Sequence, residues 1–440
     1  MLLSTRFLVV RTLMWAALAG AATALPATRA AAEALLVIEA ESGKVLYAER
    51  ATQPWYPASV TKLMTAYVTL RAVKEGRLTL DTPLTVSSNA VAQAPVKMGF
   101  GTGTVVTVDN ALKMLMVKSA NDIAVVLAEG VAGSIENFAE QMNRNAQRLG
   151  MIQTSFVNPN GLPADDQITS ARDLGILARA LIREMPEYDY YWHLPGIRMG
   201  KMVQRNYNTL IGRYPGADGM KTGFICASGF NLVASATRDG RRLIAVVLGA
   251  PSSAARAMKA AQLLERGFNS NTGLAWLMPT LGTVESLQPV SAEPPNLRDE
   301  MCGGHRKRPA TEDEDDSMAV TANSAPPDSP YAIFLSSLRP KPKGGALLQG
   351  DNMGEPVLVY TGTKPPAPGT VQAGWGEPKA KAAKKKTATA KLTPAKDKEP
   401  AKAGASSAAA PPADAPPAKP KPKKPAAKPA AATQQTSQVK

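Results

Sequence analysis

The composition of this 440-residue chain changes character near Leu277, and that change bounds what can fold. Up to there the sequence is mixed and apolar-periodic, long enough to bury a full core. From about Thr283 it is short of aromatics, rich in Pro, Ala and Lys, and without sustained periodicity. A chain of this length suggests two or three domains, but the shift reduces that to one. Residues 33–277 are expected to form a globular domain, 278–376 a mostly disordered linker, and 377–440 a disordered basic tail.

The formal net charge of +15 follows the same division. Residues 377–440 carry fifteen lysines against four acids, which leaves the folded part near neutral. A nucleic-acid partner is not expected, because that would need basic residues with interleaved aromatics on the folded domain. The lysine run reads as a solvated charge tract, or as a weak attachment to anionic envelope polymers or lipids.

Residues 1–32 read as an export signal. Arg6 and Arg11 precede an apolar stretch from Thr12 to Leu25, and Ala30-Ala31-Ala32 offers a cleavage site. The stretch is short for a membrane span of ~20 apolar residues, so the protein is expected to be exported, periplasmic or envelope-associated. Cys226 and Cys302 are the whole cysteine complement. Neither has neighbours at metal-ligand spacing, so no metal is expected. A disulfide tying the start of the tail to the domain and two inert thiols both remain open.

Leu35–Ile38 and Val45–Tyr47 read as a hairpin turning at Gly43. Ser59–Glu75 has helical spacing, with Leu63, Ala66, Tyr67 and Leu70 on one face. Asp109–Glu129 is helical with a break at Ser119-Ala120-Asn121-Asp122, where Ser and Asn are expected to cap a helix from Ile123 to Ala132. Helices follow over Ile135–Leu149 and Ser170–Arg183, then strands at Lys221–Cys226, Phe230–Ala236 and Leu243–Leu248, then a helix over Ser253–Phe268. Strands at both ends of a helical centre predict an α+β fold with an antiparallel sheet. Beyond Asn269, only Tyr331–Leu338 and Pro356–Tyr360 are apolar islands that could dock on the domain.

Three short motifs carry chemistry: Ser59-Val60-Thr61-Lys62, Ser119-Ala120-Asn121 and Lys221-Thr222-Gly223. The i, i+3 spacing puts Lys62 on the face of Ser59 at a helix start, where the helix dipole favours negative charge. With only two histidines, His193 and His305, a serine nucleophile must take a lysine as its base. Lys221-Thr222-Gly223 opens a strand, its glycine leaving room for an extended ligand and its hydroxyl and ammonium suited to a carboxylate. Each motif alone is cheap; their order and context make them a site.

In these motifs and their spacing, about sixty residues and then about a hundred, the chain resembles the penicillin-binding D-alanyl-D-alanine carboxypeptidases. Leu46-Tyr47, Pro57-Ala58, Asn158-Pro159-Asn160-Gly161-Leu162, Thr169–Asp173, Asp218-Gly219-Met220 and Gly229–Ala236 carry it further, over roughly Ala34 to Phe268. The resemblance implies a DD-peptidase/β-lactamase-like fold, with an antiparallel sheet flanked by helices and a helix-rich subdomain. It implies an acyl-enzyme on Ser59, with neutral Lys62 as base and Ser119 relaying the proton to the leaving D-alanine. Asn121 would hold the stem peptide, Lys221, Thr222 and Arg256 its terminal carboxylate, and Gly223 would leave the peptide room beside the strand. Backbone N–H groups of Ser59 and Phe224 would form the oxyanion hole. Phe224 stands where several relatives carry histidine. No cofactor is implied, and β-lactams would be covalent inhibitors.

The resemblance stops near Phe268. Neither the family's small β-sandwich domain nor its amphipathic anchor helix is expected in the residues C-terminal to it. That leaves three alternatives to the carboxypeptidase: a DD-endopeptidase, a β-lactamase and a non-catalytic cell-wall binder. A β-lactamase would need a deacylating Glu-x-x-Asn, and Glu140 with Asn143, inside a predicted helix, is the pair available.

Overall fold

A computed structural model of the chain describes residues 33–271, 281–303, 347–349 and 354–367. The signal segment, the Tyr331–Leu338 island and the basic tail lie outside them. The chain divides into units Met1–Lys379 and Ala380–Lys440, and every described residue belongs to the first.

The first hairpin, β1 (Ala34–Glu39) and β2 (Val45–Glu49), joins three later strands: β7 (Ala217–Ile225), β8 (Gly229–Arg238) and β9 (Arg241–Ala250). Together they make one antiparallel sheet, ordered β2-β1-β9-β8-β7. β1 and β9 read as near-continuous apolar runs because both faces of the sheet are covered. Successive side chains on a strand point to opposite faces, and two helices make this visible on β1. Helix α6 (Ala171–Glu184) brings Gly175 against Leu36 and Ile38, whereas α7 (Ser253–Phe268) brings Gly267 against Val37. A helix therefore covers each face, and β7 forms an edge.

Between β2 and α6 lies the helix-rich part: α1 (Lys62–Lys74), α2 (Ser88–Ala92), α3 (Val108–Val117), α4 (Asn121–Ala132) and α5 (Ile135–Leu149), with a small pair β3 (Pro83–Thr85) and β4 (Val105–Thr107). Five helices start on hydroxyl caps. Ser87, Thr107, Ser134, Ser170 and Ser252 each accept a hydrogen bond from the backbone N–H three residues on, which satisfies one of the four orphan donors of a helix start.

Helix α4 departs from this pattern and from expectation. It begins at Asn121, two residues earlier than predicted, and its N-cap is Ala120, with no side-chain bond. Ser119 and Asn121 are therefore not caps; the amide of Asn121 is committed elsewhere. The three sheet strands also run two to four residues beyond the sequence reading at most ends.

A second hairpin, β5 (Gly196–Met199) and β6 (Met202–Arg205), has no counterpart in the sequence reading, because four-residue strands give too few alternations to see. The Pro356–Tyr360 island docks there: β10 (Val357–Leu358) pairs in parallel with β5, and Val359 is buried. Within the expected linker, residues 281–303 also return to the domain. Thr283 bridges Lys44, Val284, Leu297 and Met301 are buried, and the short helix α8 (Arg298–Cys302) ends in a disulfide from Cys302 to Cys226. This closes the question the spacing left open.

Candidate active site

Ser59 stands on a short 3₁₀ turn, Ala58–Thr61, that runs straight into α1. Ala58, Val60 and Thr61 are buried and Ser59 is half-exposed, so the hydroxyl is what this turn offers to a ligand. The backbone is held from three sides. Asn231 of β8 donates from Nδ2 to Tyr56 O (3.0 Å) and Pro57 O (3.1 Å). Gly161 presses against the Ala58 carbonyl, where a side chain would collide. Gly223 of β7 lies flush with the turn: a Cβ there would sit 2.8 Å from Ser59 N and 2.9 Å from Val60 N. Ala58 takes φ +49°, an uncommon conformation for a non-glycine residue, and such strain gathers at sites the surroundings over-determine.

Lys62 is fully buried, one helical turn from Ser59. Its Nζ donates to Ser59 Oγ (2.9 Å), Asn121 Oδ1 (2.8 Å) and the Asn160 carbonyl (2.6 Å). All three acceptors are uncharged. Asn121 reaches Lys62 from the first turn of α4, and its Nδ2 donates to Ala94 O and Pro95 O. That double use of one amide explains why this position does not cap its helix. Ser119 sits just before, at φ +60°, with its Oγ buried and no hydrogen-bond partner among the described residues. Asp122 pins the neighbouring loop by accepting from the backbone N–H groups of Met98, Gly99 and Ile123. Burial pushes its carboxyl above the usual range, against those three hydrogen bonds.

The third motif sits on the edge strand. Lys221, Thr222 and Gly223 are buried on β7, and Lys221 Nζ donates to Thr222 O (3.1 Å). Gly223 touches the Ser59 turn, and Phe224 follows one peptide along, its ring stacked on Phe230 at 4.2 Å. Arg256 is not an exposed helix arginine. It is buried on α7, its guanidinium over the Phe230 ring, and donates to Asn231 O, the residue paired with Gly223. The structure thus joins Ser59, Lys62 and Asn121 by direct bonds, and Gly223 by contact. Ser119 lies two residues from Asn121, and Arg256 connects through β8.

Sequence reasoning misses Asn160 and Asn231 as site residues, though both fall in stretches that carry the family resemblance. Asn160 acts through its main-chain carbonyl, which no side-chain pattern reports. Asn231 acts by holding Tyr56 and Pro57. Glu140 is exposed on α5, paired with Arg144, and Asn143 is tied to Phe156, so this pair does not serve Ser59. Among the described residues no cluster of His, Cys, Asp and Glu could hold a metal, and no helix is long and apolar enough to cross a membrane.

The sequence profile of the D-alanyl-D-alanine carboxypeptidase family, peptidase family S11, matches residues 21–252. The chain belongs to this family. It is similar to the D-alanyl-D-alanine carboxypeptidase DacA of Haemophilus influenzae, 36% identical over 242 residues, covering 54% of this chain and 62% of the relative. Against DacC of Escherichia coli it is 39% identical over 245 residues, covering 54% and 61%. The chain thus spans less than two-thirds of the length of these relatives. Among solved structures, penicillin-binding protein 6B of Escherichia coli superposes with a TM-score of 0.52 at 36% identity, over 56% of this chain and 80% of that one. The carboxypeptidase match ends at residue 252, so it includes Ser59, Lys62, Ser119, Asn121 and Lys221 to Phe224 and leaves out Arg256 and the C-terminal segments.

Proposed function

We propose that this protein is a serine-type D-Ala-D-Ala carboxypeptidase that removes the terminal D-alanine from peptidoglycan stem pentapeptides. The observation that carries the reading is Lys62 Nζ, held 2.9 Å from Ser59 Oγ by two further acceptors. Neutral Lys62, its two N–H groups on Asn121 Oδ1 and the Asn160 carbonyl, takes the Ser59 proton on its lone pair as Oγ attacks the carbonyl carbon of the penultimate D-alanine. The oxyanion forms against the N–H groups of Ser59 and Phe224. As the C–N bond breaks, the proton passes through the Ser119 hydroxyl to the departing D-alanine nitrogen. Water then hydrolyses the ester on Ser59. Asn121 holds the stem peptide, and Lys221, Thr222 and Arg256 take the terminal carboxylate, with Gly223 giving the peptide room along β7.

Penicillin acylates the same serine and leaves slowly. Glu140, exposed and paired with Arg144, supports this over rapid β-lactam hydrolysis. Incubation with a pentapeptide ending in D-Ala-D-Ala tests the proposal: D-alanine is released, and penicillin adds its mass to the protein. No D-alanine and no adduct together would leave a cell-wall binder, and release from cross-linked dimers would make it an endopeptidase. The protein acts after export, and its lysine-rich tail associates weakly with anionic envelope polymers or lipids. A truncation at Gly376 that pelleted with envelopes at low salt as well as the full chain would overturn that last role.

A further inference from the structure

Lysine is a poor base to aim, because its four-carbon stem carries about 2 kcal/mol of rotamer entropy. Its direction at Ser59 therefore depends on the acceptors that hold Nζ. One of them, Asn121 Oδ1, stands on a rigid helix start. The other, the Asn160 carbonyl, belongs to a stretch with no helix or strand, and a carbonyl there needs fastening. The fastening comes from across the crevice. Asn160 Nδ2 donates to Gln93 Oε1 at 2.9 Å, and Gln93 ends α2 on the loop that Asn121 and Asp122 pin. Ala94 O and Pro95 O accept from Asn121 Nδ2, Val96 O from Asn121 N, and Asp122 takes the N–H groups of Met98 and Gly99. The bonds close into a ring: Lys62 to Asn121, Asn121 to the 94–96 carbonyls, along the chain to Gln93, across to Asn160, and back to Lys62.

We infer that Gln93 is a positioning residue for acyl transfer, closing this ring so that the Asn160 carbonyl aims Lys62 at Ser59. It touches neither Ser59 nor Lys62 among the hydrogen bonds described, and acts through Asn160. The inference rests on the proposed acylation of Ser59 and adds to it the group that sets the geometry of the base.

The test measures acylation of the full chain by a fluorescent penicillin across pH 6–10, with kcat and KM for a D-Ala-D-Ala peptide. Gln93→Met keeps the side-chain length and removes the acceptor. It lowers the acylation rate constant about tenfold, through kcat with KM unchanged, and moves the pH midpoint of acylation. Gln93→Glu keeps an acceptor oxygen and restores most of the rate. Asn160→Asp, which loses the donor but keeps the Oδ1 that accepts from Leu162 N, reproduces the loss, and adding it to Gln93→Met costs little more. A Gln93→Met protein with wild-type rate and pH profile overturns the inference, as does Gln93→Glu failing equally or a loss confined to KM. Wild-type protein that takes no penicillin overturns instead the reading on which it rests.

Discussion

The crevice around Lys62 and the C-terminal segments that return to the domain are held by opposite means. In the crevice a buried amine, two asparagine side chains and a run of loop carbonyls satisfy one another in a closed ring. The C-terminal segments are attached by separate points spread along the chain, among them one disulfide, the two-residue strand β10, the buried side chains of Val284, Leu297, Met301 and Val359, and single bonds such as Val284 N to Gly43 O and Gly362 N to Val105 O. A ring of buried polar groups stands or falls as a unit. A series of staples fails one at a time. The first arrangement suits a site whose geometry must not drift, and the second suits a segment attached to a domain that already has its core.

The largest expected contrast lies at the nucleophile. Ser59→Ala should form no penicillin adduct and lower D-alanine release by about 10⁶-fold. Lys62→Met should lower acylation by about 10⁴-fold and stability by about 1–3 kcal/mol, because it leaves the buried Asn121 Oδ1 and Asn160 carbonyl without their donor. Acylation kinetics beside thermal melts check both. A Lys62→Met protein that keeps its full melting temperature would mean that the ring serves the chemistry and not the fold.

Breaking the staples should cost stability alone. Replacing Cys226 and Cys302 by serine opens a 76-residue loop, worth at most about 4.5 kcal/mol in the denatured chain. Urea unfolding should show that loss while acylation stays unchanged. A smaller loss, about 2 kcal/mol for Val359 and the strand bonds of β10, is expected when the chain stops after Gly303. If the shorter chain instead acylates slowly, β10 supports the crevice as well, through the Lys118–Gln204 contact that joins β6 to the neighbour of Ser119.

The smallest effect is electrostatic and lies away from both regions. Burial pushes the Glu39 carboxyl up, but the Ser42 hydroxyl and the Arg241 guanidinium outweigh it and hold it below its usual 4.5. A carboxyl lowered on folding stabilises the protein above its unfolded value, and that gain disappears as pH falls through the folded one. Stability should therefore decline below about pH 4.5 by a few tenths of a kcal/mol from this pair, which is partly exposed. Arg241→Met should flatten that limb in urea midpoints taken from pH 3 to 7.

Much of the molecule is legible in its residues, and the illegible parts share a cause. Helix α5 can be placed residue for residue because Ser134 caps it, Gly150 ends it in the left-handed conformation and its apolar face repeats cleanly. The cores of β7, β8 and β9 show in their apolar runs, but their ends run into charged residues (Asp218, Arg238, Arg241 and Arg242) or into glycines (Gly219 and Gly249), where the apolar run breaks. The pairs β3–β4 and β5–β6 are too short to show a period. In the candidate site, Ser59, Lys62 and Asn121 are visible in their spacing, because the proposed chemistry asks for those residue types in that order. What holds them is not, because a loop carbonyl such as Asn160 O has no residue type. Asparagine before a helix usually caps it, and at Asn121 the Lys62 amine takes the side chain instead.

The pairing of Cys226 with Cys302 also governs how the chain matures. Cys226 lies on the turn that ends β7, and its partner follows it by 76 residues. As the chain emerges, the catalytic sheet can close before any second sulfur exists to react with. With two cysteines in all, oxidation has one intramolecular product and no scrambled isomer to escape from. The wrong outcome left to it is a bond between two separate molecules, so dilution, rather than an isomerase, is what protects its yield.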